Sequence, residues 1–504
     1  MKEHRIRPCR ILINNALKFL FGFALVLTID ALPDPVWAQK GVGPRIYRER
    51  IISPGYFEEV DVTSRLYLPL VGGPVPGRRY INLPPRSGTF RRWRTFLADS
   101  HYGIKILKLQ TCRDCHPQQA QDIHTVRAGI TCIQCHGDEP IAGINHYYSP
   151  MKSTRRHAYV CAKCHEGANN SYATYVVHEP NPAALATHET FPMLFYAFWL
   201  IVTVAVGTFV VFLPHTFLWG VRDFVAGVKK GGAQRIRRFS FAQRLFHFLL
   251  MLSFLTQAGT GLSRMYIETQ WGRFLASLFG GYQWALTIHK WVGIFMLGLF
   301  CVHLFYVLSK IDWRRFPRGI QGPDSLLPRW ADATQALQHV RWFLGNAKPP
   351  QFDRWGYWEK FDYMAVFWGI ALLGTTGLIL AYSLAATRAM PGWSLNVVFW
   401  IHRIEAMLAI AHVVIIHFFI AHLRRHSFPM DRAMFEGSVG LDAARHEKPV
   451  WVARLEQSGK LETMLVREAG PGQRVFFYVL GYAAVGFGLF LLIGGLLNSP
   501  YVTW

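Results

Sequence analysis

The chain has 504 residues and a formal net charge of +23, although only 17% of its residues are charged and 51% are apolar. A chain this apolar is not intrinsically disordered, because disorder requires low hydrophobicity. The charged fraction is also below the roughly 25% of a typical soluble protein. An excess of Lys and Arg fits nucleic acid, an anionic membrane surface or acidic partners. Here most of it lies between apolar spans, so it indicates membrane topology and not nucleic-acid binding.

The N-terminal region has the pattern of an export signal followed by an arm. Residues 1–38 combine a basic start, a short apolar run and the small-residue pattern Val36-Trp37-Ala38 of a cleavage site. An uncleaved anchor helix is the alternative, and either one delivers the next segment outside the cytoplasm. Residues 39–100 are rich in Pro, Gly and Arg without sustained periodicity, which predicts an extended arm.

Three identical cysteine motifs lie in residues 101–190. They are Cys112 and Cys115 with His116, Cys132 and Cys135 with His136, and Cys161 and Cys164 with His165. CxxCH is the attachment motif of c-type haem. Its two thiols form thioethers with one porphyrin, and its histidine ligates the iron. A zinc ribbon fits the spacing of the first two pairs, and a disulfide framework is compatible with an exported segment. Neither explains a histidine after every pair, so we expect three covalent haem c groups.

Such haems would fill the interior of a segment that has too few apolar residues for a large core of its own. We therefore expect a loop-rich tri-haem cytochrome c domain over 101–190. Each iron needs a sixth ligand, for which His124, His157 and His178 are the first candidates and His101 the next. The alternative for any one of them is a surface histidine. Ligation by two histidines would block substrate binding at iron and favour electron transfer.

Residues 191–504 contain six apolar spans, each long enough as a helix to cross a hydrocarbon core of about 30 Å. The spans are 191–213, 245–266, 285–308, 363–385, 400–423 and 475–498.

The loops between the spans predict the orientation. The loops 220–244, 309–362 and 424–474 carry seven, nine and nine Lys and Arg residues, whereas 267–284 and 386–399 carry one each. The positive-inside rule puts the three basic loops in the cytoplasm and the Cys-rich segment on the opposite side.

Histidines within the spans predict two b-type haems at different depths, because ionisable groups in a membrane are rare and usually functional. His289 and His402 are expected to form the outer pair. His417 is expected to form the inner pair with either His247 or His303, and the sequence leaves that choice open. Hydrogen bonding between helices is the alternative role for such histidines.

Residues 235–430 resemble the integral cytochrome b subunits of formate dehydrogenases and nickel–iron hydrogenases. The motifs that carry this likeness are Arg244-Leu245-Phe246-His247 with Thr260-Gly261-Leu262, His289-Lys290-Trp291-Val292-Gly293, and the helix with His402 and His417. The ending 426–431 is similar to a branch of that superfamily joined to multihaem c domains, and 101–190 is similar to small bis-His multihaem cytochromes. One helix with both His289 and His303 is closer to the cytochrome b of quinol–cytochrome c reductases.

The resemblance implies quinone exchange at a b-type haem. Glu405, one turn after His402, is a candidate proton acceptor for a quinol, and a salt bridge to Arg403 is its alternative role. The expected fold is an all-α membrane protein of the bacterial inner membrane, with a six-helix di-haem cytochrome b bundle over 191–504 and the extracytoplasmic tri-haem domain.

The expected function is electron transfer between membrane quinone and an extracytoplasmic redox partner, such as a periplasmic cytochrome, with quinol as the donor. One alternative is an electron-accepting subunit that passes electrons from a periplasmic hydrogenase or dehydrogenase to quinone. Another is a non-enzymatic anchor or relay subunit of a larger respiratory complex.

Overall fold

The computed structural model of the chain describes residues 119–136, 155–226, 234–316, 318–424 and 427–502, with the single positions 114, 116, 117, 151 and 153. The predicted signal and arm lie outside the described residues, as do Cys112, Cys115 and His101. The described residues divide into two compact units. The first contains the Cys-rich segment up to residue 197 together with residues 378–399, and the second contains 198–377 and 400–502.

The described Cys-rich segment consists of short helices and turns. Its α-helices are α1 (Ile123–Ala128), α2 (Cys132–His136), α3 (Arg156–Tyr159) and α4 (Leu185–Thr190). Single 3₁₀ turns lie at Gln119–Gln121, Cys161–Lys163 and Tyr172–Thr174. Among the described residues before 190, the buried apolar side chains are the alanines 162, 168 and 173. Side chains alone therefore give this segment almost no apolar core.

The rest of the chain is mostly helical. In chain order its helices are α5 (Pro192–Ala226), α6 (Phe241–Met265), α7 (Gln270–Ser277), α8 (Tyr282–Lys310), α9 (Trp330–Phe343), α10 (Tyr357–Ala381), α11 (Ser383–Ala386), α12 (Ser394–Ala411), α13 (Ala433–Glu436), α14 (Leu441–Glu447), α15 (Pro449–Gln457), α16 (Leu461–Met464) and α17 (Pro471–Asn498). Short 3₁₀ turns occur at Trp313–Arg315, Arg318–Ile320 and Ser499–Tyr501.

Six of these segments confirm the six predicted spans. They begin with α5, α6, α8, α10, α12 and α17, and each is long and apolar enough to cross a membrane. Local signals set their ends: α6 begins at a capping box of Ser240 with Gln243. α10 begins at Tyr357 and α12 at Ser394, six residues before the apolar runs predicted at 363 and 400. Helices continue through the polar flanks that hydropathy leaves out.

The sequence predicts a continuous α-helix for the fifth span, but the structure differs. α12 ends at Ala411, and π-helical turns follow at His412–His417 and Phe419–Leu423. A π-helix closes i to i+5 hydrogen bonds and has about 4.4 residues per turn. Side chains five positions apart therefore point in similar directions, and the histidines of this segment at 412, 417 and 422 have that spacing.

The structure is mostly helical, as the predicted all-α fold requires, and the second unit adds one small sheet that the sequence did not predict. Strands β1 (Arg235–Arg237), β2 (Ser438–Gly440) and β3 (Leu465–Val466) form an antiparallel sheet in the order β2-β1-β3. Ile236 is fully buried and packs with Trp451 and Val452 of α15. The long basic loop after the fifth span therefore has its own small core, because it buries apolar residues against the segment that precedes α6.

Candidate functional site

Two histidines predicted for the outer pair face each other inside the bundle. His289 lies on α8 and His402 on α12, with ring centroids 6.3 Å apart and planes crossed at 77°. In a bis-imidazole iron complex, metal–nitrogen bonds of about 2.0 Å and about 1.1 Å from each nitrogen to its ring centre put the centroids about 6.2 Å apart. The observed separation therefore suits one iron between the two rings.

Threonine hydroxyls fix the orientation of both rings. Thr260 Oγ1 lies 2.9 Å from His289 Nδ1, and Thr376 Oγ1 lies 2.9 Å from His402 Nδ1. Each hydroxyl donates its own proton to a carbonyl of its own helix, that of Thr256 or Leu372. Each Nδ1 must then be the donor to the threonine, which leaves the lone pair of Nε2 available to a metal.

Glycines let the backbone approach both rings of the outer pair closely, and a cationic side chain lies in electrostatic range. A Cβ added to Gly261 would lie 3.1 Å from His289 Cε1, and one added to Gly377 would lie 3.4 Å from His402 Cε1. Arg264 acts electrostatically on both histidines. Its Nε is buried and makes no hydrogen bond to any described residue. An unpaired guanidinium nitrogen suits a carboxylate such as a haem propionate.

At the other end of the bundle the structure brings together His247 of α6 and His417. Their ring centroids are 6.5 Å apart and their planes make an angle of 37°. His303, the second candidate partner, is engaged elsewhere: its Nε2 lies 2.9 Å from the Tyr363 hydroxyl, and its ring stacks on Phe246 with centroids 4.5 Å apart. Of the two candidate partners left open, the structure brings His247 next to His417.

A carboxylate lies beside the inner pair. Asp362 of α10 has Oδ2 at 3.3 Å from His417 Nδ1 and Oδ1 at 3.1 Å from His412 Nε2. The π-helical turn puts both histidines on the side that faces α10. Both nitrogens must donate to the carboxylate, so Nε2 of His417 is free to bind a metal.

Glu405, the predicted proton acceptor, is buried on α12 with only 3% of its surface exposed. Its Oε2 accepts no hydrogen bond within the described part of the chain. A carboxyl group in such a place can exchange a proton with a ligand.

In the first unit, histidines of the second and third cysteine motifs each face another histidine. His165 lies opposite His124 with centroids 6.2 Å apart and planes at 88°, and His136 lies opposite His178 with centroids 6.3 Å apart and planes at 18°. Both separations equal that of a bis-imidazole iron complex. The two partners, His124 and His178, are two of the histidines expected as sixth ligands.

Asp122 organises these two partner histidines. It caps α1 by accepting hydrogen bonds from the backbone N–H groups of His124 and Thr125, and its Oδ2 lies 3.5 Å from His178 Nδ1. Burial lowers the pKa of His124 and of His165, which favours the neutral imidazole that binds a metal. Burial also raises the pKa of the Cys161 thiol to about 11.

The first motif has less structural support. His116 is described, but its two cysteines are not. His157, the third expected sixth ligand, has a buried Nδ1 without a hydrogen bond to the described residues, and burial lowers its pKa. No described contact pairs His157 with a motif histidine.

The Cys-rich segment contacts the loop between the fourth and fifth spans. Asn396 is fully buried, and its side chain bonds both backbone groups of Val176 and the carboxylate of Glu179. Gly392 N–H donates to the carbonyl of Ser171 at 2.8 Å, and a Cβ at 392 would lie 2.5 Å from that oxygen. The positive-inside rule puts both segments on one side of the membrane, and this contact agrees with it.

Sequence reasoning named Thr260 only as part of a family motif, without a role, and missed Thr376 and Asp362. The two threonines lie in a repeated triplet, Thr-Gly-Leu at 260–262 and at 376–378, and each triplet precedes by one span the histidine that it contacts. That repetition is the signal that could have found them. For Asp362, the signal is an acidic residue within an apolar span.

The fold and the paired intramembrane histidines define a multi-pass membrane protein of the haem-binding, electron-transferring class. The family model described as prokaryotic cytochrome b561 matches residues 165–318 and 238–437, which together exceed half of the chain. The chain belongs to the prokaryotic cytochrome b561 family. It binds b-type haem and acts in membrane electron transfer. Comparison with curated proteins gives no match.

Proposed function

We propose that the protein transfers electrons between membrane quinol and an extracytoplasmic redox partner through two b-type and three c-type haems. The observation that carries this proposal is the recurrence of one geometry. Four histidine pairs, two in each unit, have ring centroids 6.2 to 6.5 Å apart. One further described pair, His215 with His339, lies 6.0 Å apart, but both of its rings bond the Tyr357 hydroxyl. Each of the four proposed pairs instead contains a CxxCH histidine or a span histidine whose Nε2 is available to a metal.

Each pair has a proposed role. His289 and His402 would hold the outer b-type haem, and His247 and His417 the inner one. Two c-type haems would use the pairs His165 with His124 and His136 with His178. The remaining motif histidine, His116, would pair with His157 or His101. Bound haems supply one-electron transfer, and two axial histidines on each iron keep other ligands away.

Quinol is the proposed donor, since the family implies quinone exchange. Glu405 is the proposed acceptor of a quinol proton, because a buried carboxyl without a hydrogen bond on Oε2 can take one up. The acceptor of the electrons would be a periplasmic cytochrome or a similar protein outside the cytoplasm.

The test is haem analysis of the purified protein followed by reduction with a quinol analogue. We expect a pyridine haemochrome ratio of three haem c to two haem b, and reduction of both types by quinol. His247→Leu should remove one b-type haem, whereas the matched control His303→Leu should keep both. Loss of haem in the His303 variant alone would contradict the inner pairing. Haems that no quinol reduces would contradict quinol as donor, and copurification of a dehydrogenase subunit would favour the reverse direction.

A further inference from the structure

The two histidine pairs of the bundle differ in the charge of the group that accepts a hydrogen bond from histidine Nδ1. His417 of the inner pair donates its Nδ1 proton to the carboxylate of Asp362. The outer histidines donate theirs to the neutral hydroxyls of Thr260 and Thr376. The same ring nitrogen therefore meets an anion at one end of the bundle and a neutral acceptor at the other.

No lysine or arginine in the described parts of the chain lies within ion-pair distance of Asp362. The groups within that distance there are the imidazoles of His412 and His417, at 3.1 and 3.3 Å. The outer pair, in contrast, has the Arg264 guanidinium within electrostatic range of both rings. The inner ligand His417 thus has a carboxylate as its hydrogen-bond partner, whereas the outer rings have neutral partners and a guanidinium in range.

We propose that Asp362 is a positioning residue that lowers the midpoint potential of the inner haem below that of the outer haem. This inference rests on the proposed function, in which His247 with His417 and His289 with His402 hold the two b-type haems.

The physical reason has two parts. A carboxylate that accepts from Nδ1 makes the imidazole more basic, and a more basic ligand stabilises the ferric state. A negative charge near the iron also favours ferric over ferrous iron, and the low dielectric of a membrane interior strengthens that effect. The π-helical turn is part of the arrangement. It lets His412 and His417, five positions apart, reach one carboxylate.

The potential order gives electron flow a preferred direction. With haems held by the two pairs, one electron would pass from the inner site, which would be oxidised, to the outer site, which would be reduced. No proton or bond change accompanies this step. Electrons that enter at the inner haem therefore pass downhill to the outer one.

The experiment is an EPR-monitored redox titration of the purified full-length protein in detergent. The imidazole planes at the outer and inner sites, 77° and 37°, favour ferric signals of different anisotropy, but the c-type pairs at 88° and 18° favour the same two kinds. Absorption in the haem b band, recorded in the same titration, therefore separates b-type from c-type haems, and the His247→Leu variant, which should lack the inner haem, assigns the two b-type potentials. In the wild type the inner potential should be the lower one. Asp362→Asn should raise the inner potential by at least the equivalent of a tenfold change in the reduction equilibrium, about 59 mV for one electron. It should leave the outer potential unchanged.

Two further variants complete the test. Thr376→Val changes the acceptor at the outer site and should leave the inner potential unchanged. His412→Phe removes one donor from Asp362 and strengthens its hydrogen bond to His417, so the midpoint potential of the inner haem should fall. If Asp362→Asn loses haem, this variant tests the role of Asp362 in its place. An inner potential that does not respond to either change at 362 or 412, with both haems retained, overturns the inference alone. A wild type without two bis-histidine b-type haems overturns the proposed function instead.

Discussion

At the scale of single residues, neutral hydroxyls hold both outer-pair histidines in one tautomer. Thr260 and Thr376 lie one residue before the glycines that face the same imidazole rings, so a Thr-Gly pair both orients the ring and lets the backbone approach it closely. A valine has nearly the shape of threonine but accepts no hydrogen bond. The hydroxyl can therefore be removed with little change in packing.

We expect Thr260→Val combined with Thr376→Val to weaken retention of the outer b-type haem about 10- to 100-fold, the usual cost of removing a group that orients a metal-ligating histidine. The measurement is haem b per protein after dilution into haem-scavenging apomyoglobin. Thr208→Val is the matched control, since Thr208 Oγ1 also bonds its own helix, at the carbonyl of Val204, and contacts no candidate ligand. Equal haem retention in the double variant and the control would refute an orienting role for the threonines.

At the scale of elements, the loop before the fifth span does more than connect two helices. Asn396 at the start of α12 bonds the backbone N–H and C=O of Val176 as a strand partner would, with distances of 3.1 and 2.8 Å. It also donates to Glu179. A single amide side chain thus satisfies the backbone of the segment that leads from the third cysteine motif to the first span.

We expect Asn396→Ala to free the segment around residue 176, because unsatisfied buried backbone groups cost about 1–3 kcal/mol each. Hydrogen–deuterium exchange of peptides covering 169–180 should speed up by about tenfold or more. Asn498→Ala is the control, since Asn498 bonds the carbonyl of Gly494 in its own helix. Unchanged exchange in 169–180 would show that Asn396 does not hold this segment.

At the scale of the whole second unit, a buried ion cluster joins distant parts of the chain. Arg424, directly after the fifth span, pairs with Asp223 of α5 at 3.3 Å and with Glu447 of α14 at 2.7 Å, and it lies 4.0 Å from the ring centre of Trp219. Burial works against its charge, but Glu447 and Asp223 outweigh that effect and raise the pKa of the guanidinium. Arg424 therefore stays charged and links α5, the first span, to α14 in the segment that follows the fifth span.

We expect Arg424→Met to lower the free energy of unfolding by about 3–5 kcal/mol, because removing the arginine leaves the buried carboxylate of Asp223 uncompensated. Arg445→Met breaks the exposed pair with Glu456 and should change it by no more than about 0.5 kcal/mol. Thermal unfolding in detergent, followed by circular dichroism, measures both. Comparable melting temperatures for the two variants would mean that the cluster around Arg424 contributes no more than a surface pair.

The local and periodic features of this protein follow from its sequence alone. The number of spans follows from the length of the apolar runs. Each CxxCH motif contains its two thiols and its histidine within five positions, so recognising the spans and the motifs requires no knowledge of distant contacts. Pairing of ligands is different. Whether His247 or His303 faces His417 depends on how α6, α8 and the fifth span rotate against one another. The π-helical turns also shift the register of that span, which ideal α geometry cannot anticipate. The tertiary structure likewise decided that Thr260, Thr376 and Asp362 contact histidines on other helices, because such contacts form only when the helices pack.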